Sequence, residues 1–220
     1  ISALLACAAI AGISAPASAE GDSGKWQVKL MGTAVLPDGK IDKVNTDLVG
    51  LPATLQTKAS DNFVPTLAIE YFFTPAVSLE TICCVTEHHV TGTTGLPGAG
   101  LVSKAHLIPA TFTLKYHLNA GGISPYVGAG PSYFIWFDEK PGATAAAAGA
   151  DRVTLSDRVG LALQAGLDVP LNNHGFIFSL DAKRYFEKTT ARGDAGATNV
   201  IETEHCIDPW VLSAGAGVRF

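Results

Sequence analysis

The chain of 220 residues is 47% hydrophobic and only 16% charged, with a formal net charge of −5. Ordinary soluble domains carry roughly 25% charged residues, yet beyond the first residues no apolar run reaches the roughly 20 residues that a membrane-spanning helix needs. The acidic balance and the lack of any Lys or Arg run exclude a nucleic-acid partner.

Residues Ile1 to Ile13 are apolar and uncharged, and Ala17-Ser18-Ala19 precedes Glu20. This is the hydrophobic core and small-residue cleavage site of a secretory signal, predicting removal of residues 1–19 and one domain over 20–220. A start Met and a basic leader are missing, so the sequence is expected to begin inside that signal. Leu4-Leu5-Ala6-Cys7 faintly matches a lipoprotein box, but the apolar run continues past Cys7 and a better cleavage site follows at Ala19, so Cys7 is read as inert.

Strand-period alternation then recurs along the chain. The first strand, Lys25 to Val35, sets Trp26, Val28 and Leu30 against Gln27, Lys29 and Met31, and a long polar connection through Asn45, Asp47, Thr54 and Lys58 follows. The second runs from Phe63 to Phe73 with Glu70 and Phe72 on its less apolar face, and Thr74-Pro75 turns the chain. The third, Val77 to Thr86, places Glu80, Ile82 and Cys84 on that face. A loop is predicted over His88, His89 and Thr91 to Thr94.

The fourth strand, His106 to Leu118, carries Thr111, Thr113, Lys115 and His117 on the polar face, and Asn119-Ala120-Gly121-Gly122 is its turn. The fifth, Pro125 to Phe137, ends in an aromatic cluster that includes Phe134 and Trp136. Ala145 to Ala148 reads equally as one short helix or as a small-residue loop. The sixth strand opposes Val159, Leu161, Leu163, Ala165, Leu167 and Val169 to Arg158, Gly160, Ala162, Gln164, Gly166 and Asp168. The seventh starts at Phe176 and presents Asp181 and Lys183 on the polar face. A polar loop from Thr189 to His205 leads to the eighth, Trp210 to Phe220, whose minor face holds Gly215, Gly217 and Arg219.

Links after the second, fourth and sixth strands are short, and those after the first, third, fifth and seventh are long. Short turns on one side and long loops on the other, with an apolar outer and a polar inner face, predict an all-β fold. It is an eight-stranded antiparallel transmembrane β-barrel of the bacterial outer membrane, with short periplasmic turns and longer extracellular loops. Lys29, Glu70, Glu80, Lys115, Arg158, Gln164, Asp181, Lys183 and Arg219 then line the channel. Phe72, Ile82, Phe134 and Trp136 stand beside them. Pro65, Pro109 and Pro131 lack the N–H that a strand ladder requires, making them candidates for a lateral opening.

Three cysteines beyond Cys7 do not describe a disulfide framework, although one link from Cys83 or Cys84 to Cys206 is a reading to test. His88-His89 and His205-Cys206 lack regular metal-ligand spacing, so no metal or other cofactor is expected. No nucleophile–base arrangement or phosphate loop marks an enzyme.

Ile108-Pro109-Ala110-Thr111-Phe112-Thr113-Leu114-Lys115-Tyr116-His117, Pro125-Tyr126-Val127-Gly128-Ala129-Gly130 and Asp208-Pro209-Trp210 with the closing Ser213 to Phe220 resemble the OmpW family of outer-membrane proteins. The resemblance implies a porin-like barrel with a narrow hydrophobic passage for passive uptake of small hydrophobic molecules. The related alkane-uptake barrels add release sideways through the wall. It also implies contact with outer-membrane lipids and lipopolysaccharide, and recognition of Phe220 by the barrel assembly machinery. The alternative is a structural barrel or surface receptor for a phage, bacteriocin or host partner.

Overall fold

A computed structural model describes residues 24–118, 122–172 and 174–220. The predicted signal at 1–19 and residues 119–121 of the predicted turn lie outside them. In chain order the strands are β1 (Trp26–Leu36), β2 (Lys40–Asp47), β3 (Gln56–Ala59), β4 (Asn62–Thr74), β5 (Val77–Cys83), β6 (Thr86–Thr94), β7 (Gly100–His117) and β8 (Ser124–Pro141). Helix α1 (Ala143–Ala147) precedes β9 (Arg152–Leu155), β10 (Arg158–Pro170), β11 (Phe176–Phe186), β12 (Lys188–Ala195), β13 (Thr198–Cys206) and β14 (Trp210–Arg219).

Eight of these close a barrel in the order β1-β4-β5-β7-β8-β10-β11-β14, every neighbour antiparallel. β14 pairs back to β1 from Gln27↔Arg219 to Leu36↔Trp210, so the barrel has no unpaired edge, as lipid demands of spanning strands. Outward positions are the apolar ones of the alternation: Leu30, Phe63, Phe112, Leu114, Val159, Leu161 and Leu212 are exposed on the wall.

The long connections are themselves largely strand. β2, β13, β12 and β9 form a second sheet, and β3 pairs with β6, which continues onto β7. Three stretches predicted as loops, the connection after the first strand, the segment His88 to Thr94 and the segment Thr189 to His205, are therefore corrected to strands β2–β3, β6 and β12–β13. Their Thr-, His- and Gly-rich composition reads as loop in isolation. Pairing to neighbours that extend beyond the membrane supplies the hydrogen bonds their own sequence does not advertise.

The predicted third strand breaks at Cys84-Val85, between β5 and β6, and α1 settles the Ala-rich stretch as a helix. Among the described residues Cys83, Cys84 and Cys206 form no disulfide, which corrects the suggested link. Cys83 is exposed, Cys84 is buried, and Cys206 is half-buried on β13 of the other sheet.

Candidate functional site

The barrel interior is layered, and its lower layer is ionic. Inward positions of β1, β4, β5, β7, β10 and β11 deliver Lys29, Glu70, Glu80, Lys115, Gln164, Asp168, Asp181 and Lys183, all buried. Glu70 and Glu80 stand directly opposite each other across β4 and β5, a like-charge pair that is unfavourable alone. Lys115, from β7, lies 2.9 Å from Oε2 of each, and Lys29, from β1, lies 3.0 and 2.5 Å from the same two atoms.

Glu70 also accepts from Gln27 (3.1 Å), Ser78 (2.5 Å) and His117 (2.9 Å). Glu80 accepts from Gln164 (2.8 Å) and Lys183 (3.1 Å) through Oε1. Asp181 takes Lys183 (2.7 Å), Gln164 (2.5 Å) and the Tyr126 hydroxyl (2.7 Å), while Asp168 takes Gln27 (2.9 Å) and Ser179 (2.6 Å). Buried ions cost several kcal/mol each unless they are paired and hydrogen-bonded, and every carboxylate of this network has at least two donors.

Small inward residues make room for these long side chains. A Cβ at Gly217 would sit 2.7 Å from Lys29 Cγ, and one at Gly166 would sit 2.3 Å from the Tyr126 oxygen. The ammonium of Lys115 lies 3.6 Å from the centre of the Tyr126 ring. Below this stopper, Arg219 lies over the Phe72 ring at 3.6 Å and donates from Nε to the Gly24 carbonyl (2.7 Å).

Above it the inward positions turn apolar. Val35, Val64, Cys84, Leu107, Phe134, Tyr185, Ile207 and Val211 form one buried cluster with Trp136 packed on it. Over that cluster opens a chamber of about 100 Å³ whose walls include Leu55, Val102, Ala105, Trp136, Val153 and Ile201. A smaller cavity of about 20 Å³ lies deeper, sharing Val35, Leu107 and Pro209 with the chamber and touching Thr66, Ile82, Cys84, Pro109 and Lys183.

Two buried histidines line the chamber, and each occurs as Thr-Glu-His: Thr86-Glu87-His88 on β6 and Thr203-Glu204-His205 on β13. His88 Nδ1 meets the Ser60 carbonyl at 2.7 Å and its Nε2 meets the Thr86 hydroxyl at 3.0 Å. His205 Nδ1 meets the Gly39 carbonyl at 3.2 Å and its Nε2 meets the Thr203 hydroxyl at 2.8 Å. A carbonyl only accepts, so each Nδ1 carries the proton and each neutral Nε2 accepts from a threonine. Together they fasten the Gly39 and Ser60 ends of the segment that contains β3.

Burial pushes both histidines below their ordinary value, against the raising effect of the carbonyl bonds. Asp61, Glu87 and His89 also act on His88, and Arg192 lines the chamber with both. Because the folded values lie below the unfolded one of about 6.5, this stability is complete above that pH and is lost as pH falls below it. Each pH unit of that fall removes at most about 1.4 kcal/mol per histidine. Unfolding measured between pH 7.5 and 5 should show the decline, and the His88→Asn/His205→Asn variant should show a flatter profile.

Of the residues singled out from sequence, Lys29, Glu70, Glu80, Lys115, Gln164, Asp181 and Lys183 meet in the stopper, and Ile82, Phe134 and Trp136 line the cavities above it. Arg158 is a correction. It has the inward parity, but it begins β10 at the outer rim, where its exposed side chain donates to Thr190 Oγ1 (2.7 Å). Tyr126, Ser78 and His117 were not singled out as channel residues, although inward parity combined with a polar side chain marks all three.

The wall is interrupted beside the lower cavity. β4–β5 pairing ends at Leu67↔Cys83 and β5–β7 pairing at Ile82↔Thr111, while β6–β7 pairing starts at Thr86↔Leu107. Pro109 and Pro65 fall in this interval on either side of Cys83 to Val85. Pro131 causes a separate gap, between the β7–β8 pairs Thr111↔Ser132 and Leu114↔Ala129, and borders neither cavity.

The family model of the OmpW family matches residues 22–220. Outer membrane protein W of Vibrio cholerae serotype O1 is 31% identical over 213 residues, covering 94% of this chain and 93% of that one. The crystal structure of OprG from Pseudomonas aeruginosa superposes with a TM-score of 0.80 at 25% identity, covering 90% of this chain and 96% of OprG. The solid-state NMR structure of AlkL in DMPC lipid bilayers gives 0.72 at 25% identity, covering 95% and 96%. All three are named as outer-membrane proteins. A closed eight-stranded barrel with a lipid-compatible outer face, matched by this family over nearly all its length, is an outer-membrane protein, and the chain belongs to the OmpW family.

Proposed function

We propose that the barrel takes small hydrophobic molecules from the cell exterior into the apolar chamber and releases them sideways into the membrane. The observation that carries this is the layering: an apolar chamber and the buried apolar cluster beneath it stand above a layer of paired ions. An apolar solute gains roughly 25 cal/mol per Å² of surface by entering the chamber. Continuing straight down would require it to displace ion pairs that it cannot replace. The interruption at Cys83 to Val85, with Pro109 behind it in the lower cavity and Pro65 beside it, offers the remaining way out.

In the same proposal Phe220, whose backbone exchanges hydrogen bonds with Trp26 (3.0 and 2.8 Å), serves as the signal to the barrel assembly machinery. The apolar outer wall meets outer-membrane lipids and, at its extracellular edge, lipopolysaccharide.

Uptake of a hydrophobic substrate by a strain lacking the gene should rise when the wild-type gene is restored. Replacing Pro109 with Thr, and Pro65 with Val, should give folded barrels with uptake reduced by a few-fold, because a restored N–H lets the ladder zip across the interval. If restoring the gene leaves uptake unchanged, the transport proposal fails and a receptor role gains ground. Unchanged uptake in both proline variants removes only the lateral exit.

A further inference from the structure

The floor of the deeper cavity carries polar groups with bonding capacity left over. Lys183 lines this cavity, and its ammonium donates to Glu80 Oε1 (3.1 Å) and Asp181 Oδ1 (2.7 Å). An ammonium has three donors, so one N–H remains without a partner among the described residues. Thr66 lines the same cavity, is 2% exposed, and its hydroxyl has no nitrogen or oxygen partner.

Cys84 lines the same cavity beside them. A hydroxyl has one donor and two acceptor sites, and those of Thr66 are open to a ligand. The cavity's other hydroxyls are already satisfied, Thr33 with Ser213 at 2.9 Å and Tyr185 with Thr111 at 3.2 Å.

We propose that Lys183 and Thr66 form a head-group subsite for a long-chain primary alcohol, an inference that rests on the uptake function proposed above. The alcohol oxygen accepts the third N–H of Lys183, its proton goes to Thr66 Oγ1, and the alkyl chain runs upward past Leu107 into the chamber.

Three observations select this class. A cavity of about 20 Å³ has room for one water-sized group, which admits a hydroxyl and excludes a phosphate or sugar head. A carboxylate finds no spare positive charge, since Glu70, Glu80, Asp168 and Asp181 already outnumber Lys29, Lys115 and Lys183 in the stopper. An alkane fits the chamber but leaves both polar groups unfilled, and a site built around hydrogen-bonding groups discriminates against a ligand that lacks them.

The test uses the wild-type barrel in lipid nanodiscs and three probes of equal chain length: 11-bromo-1-undecanol, 11-bromoundecanoate and 1-bromoundecane. Bromine quenches tryptophan, and of the three tryptophans Trp136 lines the chamber while Trp26 and Trp210 are exposed on the wall. Subtracting the signal of Trp136→Phe isolates quenching inside the chamber. The alcohol should half-saturate this signal at about tenfold lower concentration than the other two. Thr66→Val should abolish the preference and Thr66→Ser should keep it. Equal half-saturation by all three probes, or an intact preference in Thr66→Val, overturns the subsite and leaves the uptake proposal standing. Absence of Trp136-dependent quenching by every probe overturns both.

Discussion

Lys115→Met is expected to destabilise the barrel by about 3–5 kcal/mol, the usual cost of removing one partner from a buried ion network. Methionine keeps the length and apolar body of the side chain, so packing changes little. What disappears is the ammonium 2.9 Å from both Glu70 and Glu80. The two carboxylates, opposite each other across β4 and β5, then share Lys29 alone. Adding Glu70→Gln should recover part of the loss by relieving the repulsion. Urea unfolding in lipid vesicles, combined as a double-mutant cycle, measures both effects. Equal stability of Lys115→Met and wild type would show that the stopper carries no net load.

Gly193→Leu is expected to lower hydrophobic uptake by at least about tenfold, the equivalent of about 1.4 kcal/mol of lost occupancy. Gly193 lines the chamber, and a Cβ there would meet only Ala150 and Ile201, each at an ordinary 3.7 Å, so the new side chain grows into open space without displacing backbone. The substitution lies on β12, away from the eight closing strands, and urea unfolding of the barrel should match wild type. Uptake that stays at the wild-type rate in a correctly folded Gly193→Leu protein would show that cargo does not pass through the chamber.

The membrane-embedded half of the fold was legible because strand periodicity there is enforced from both sides. Lipid demands Leu161 and Leu163 outward, and a narrow lumen demands Gln164 and Asp168 inward, so alternation survives in the sequence. Above the membrane that pressure stops. Arg158 kept the inward parity but points to solvent at the rim, and β6 and β13 carry polar residues on both faces and so read as loops. Charge balance in the lumen was foreseeable from Lys29, Glu70 and Lys183. The partners were not, because Glu70 meets Lys115 across 45 positions of sequence and only through the register of intervening strands. In the sequence His88 and His205 show nothing beyond a lack of metal-ligand spacing. Burial keeps them neutral, and the nitrogen that carries the proton is set by Ser60 and Gly39, residues that nothing in the sequence connects to them.

A lumen stoppered by its own ions is also expected to insulate, with a conductance in planar bilayers close to that of lipid alone. Sodium, protons and sugars cross barrels along files of water, and here the space for such a file is occupied by Lys29, Lys115, Tyr126 and their carboxylates. A bacterium displaying many copies of this protein is therefore expected to keep its outer membrane tight to salts and hydrophilic antibiotics.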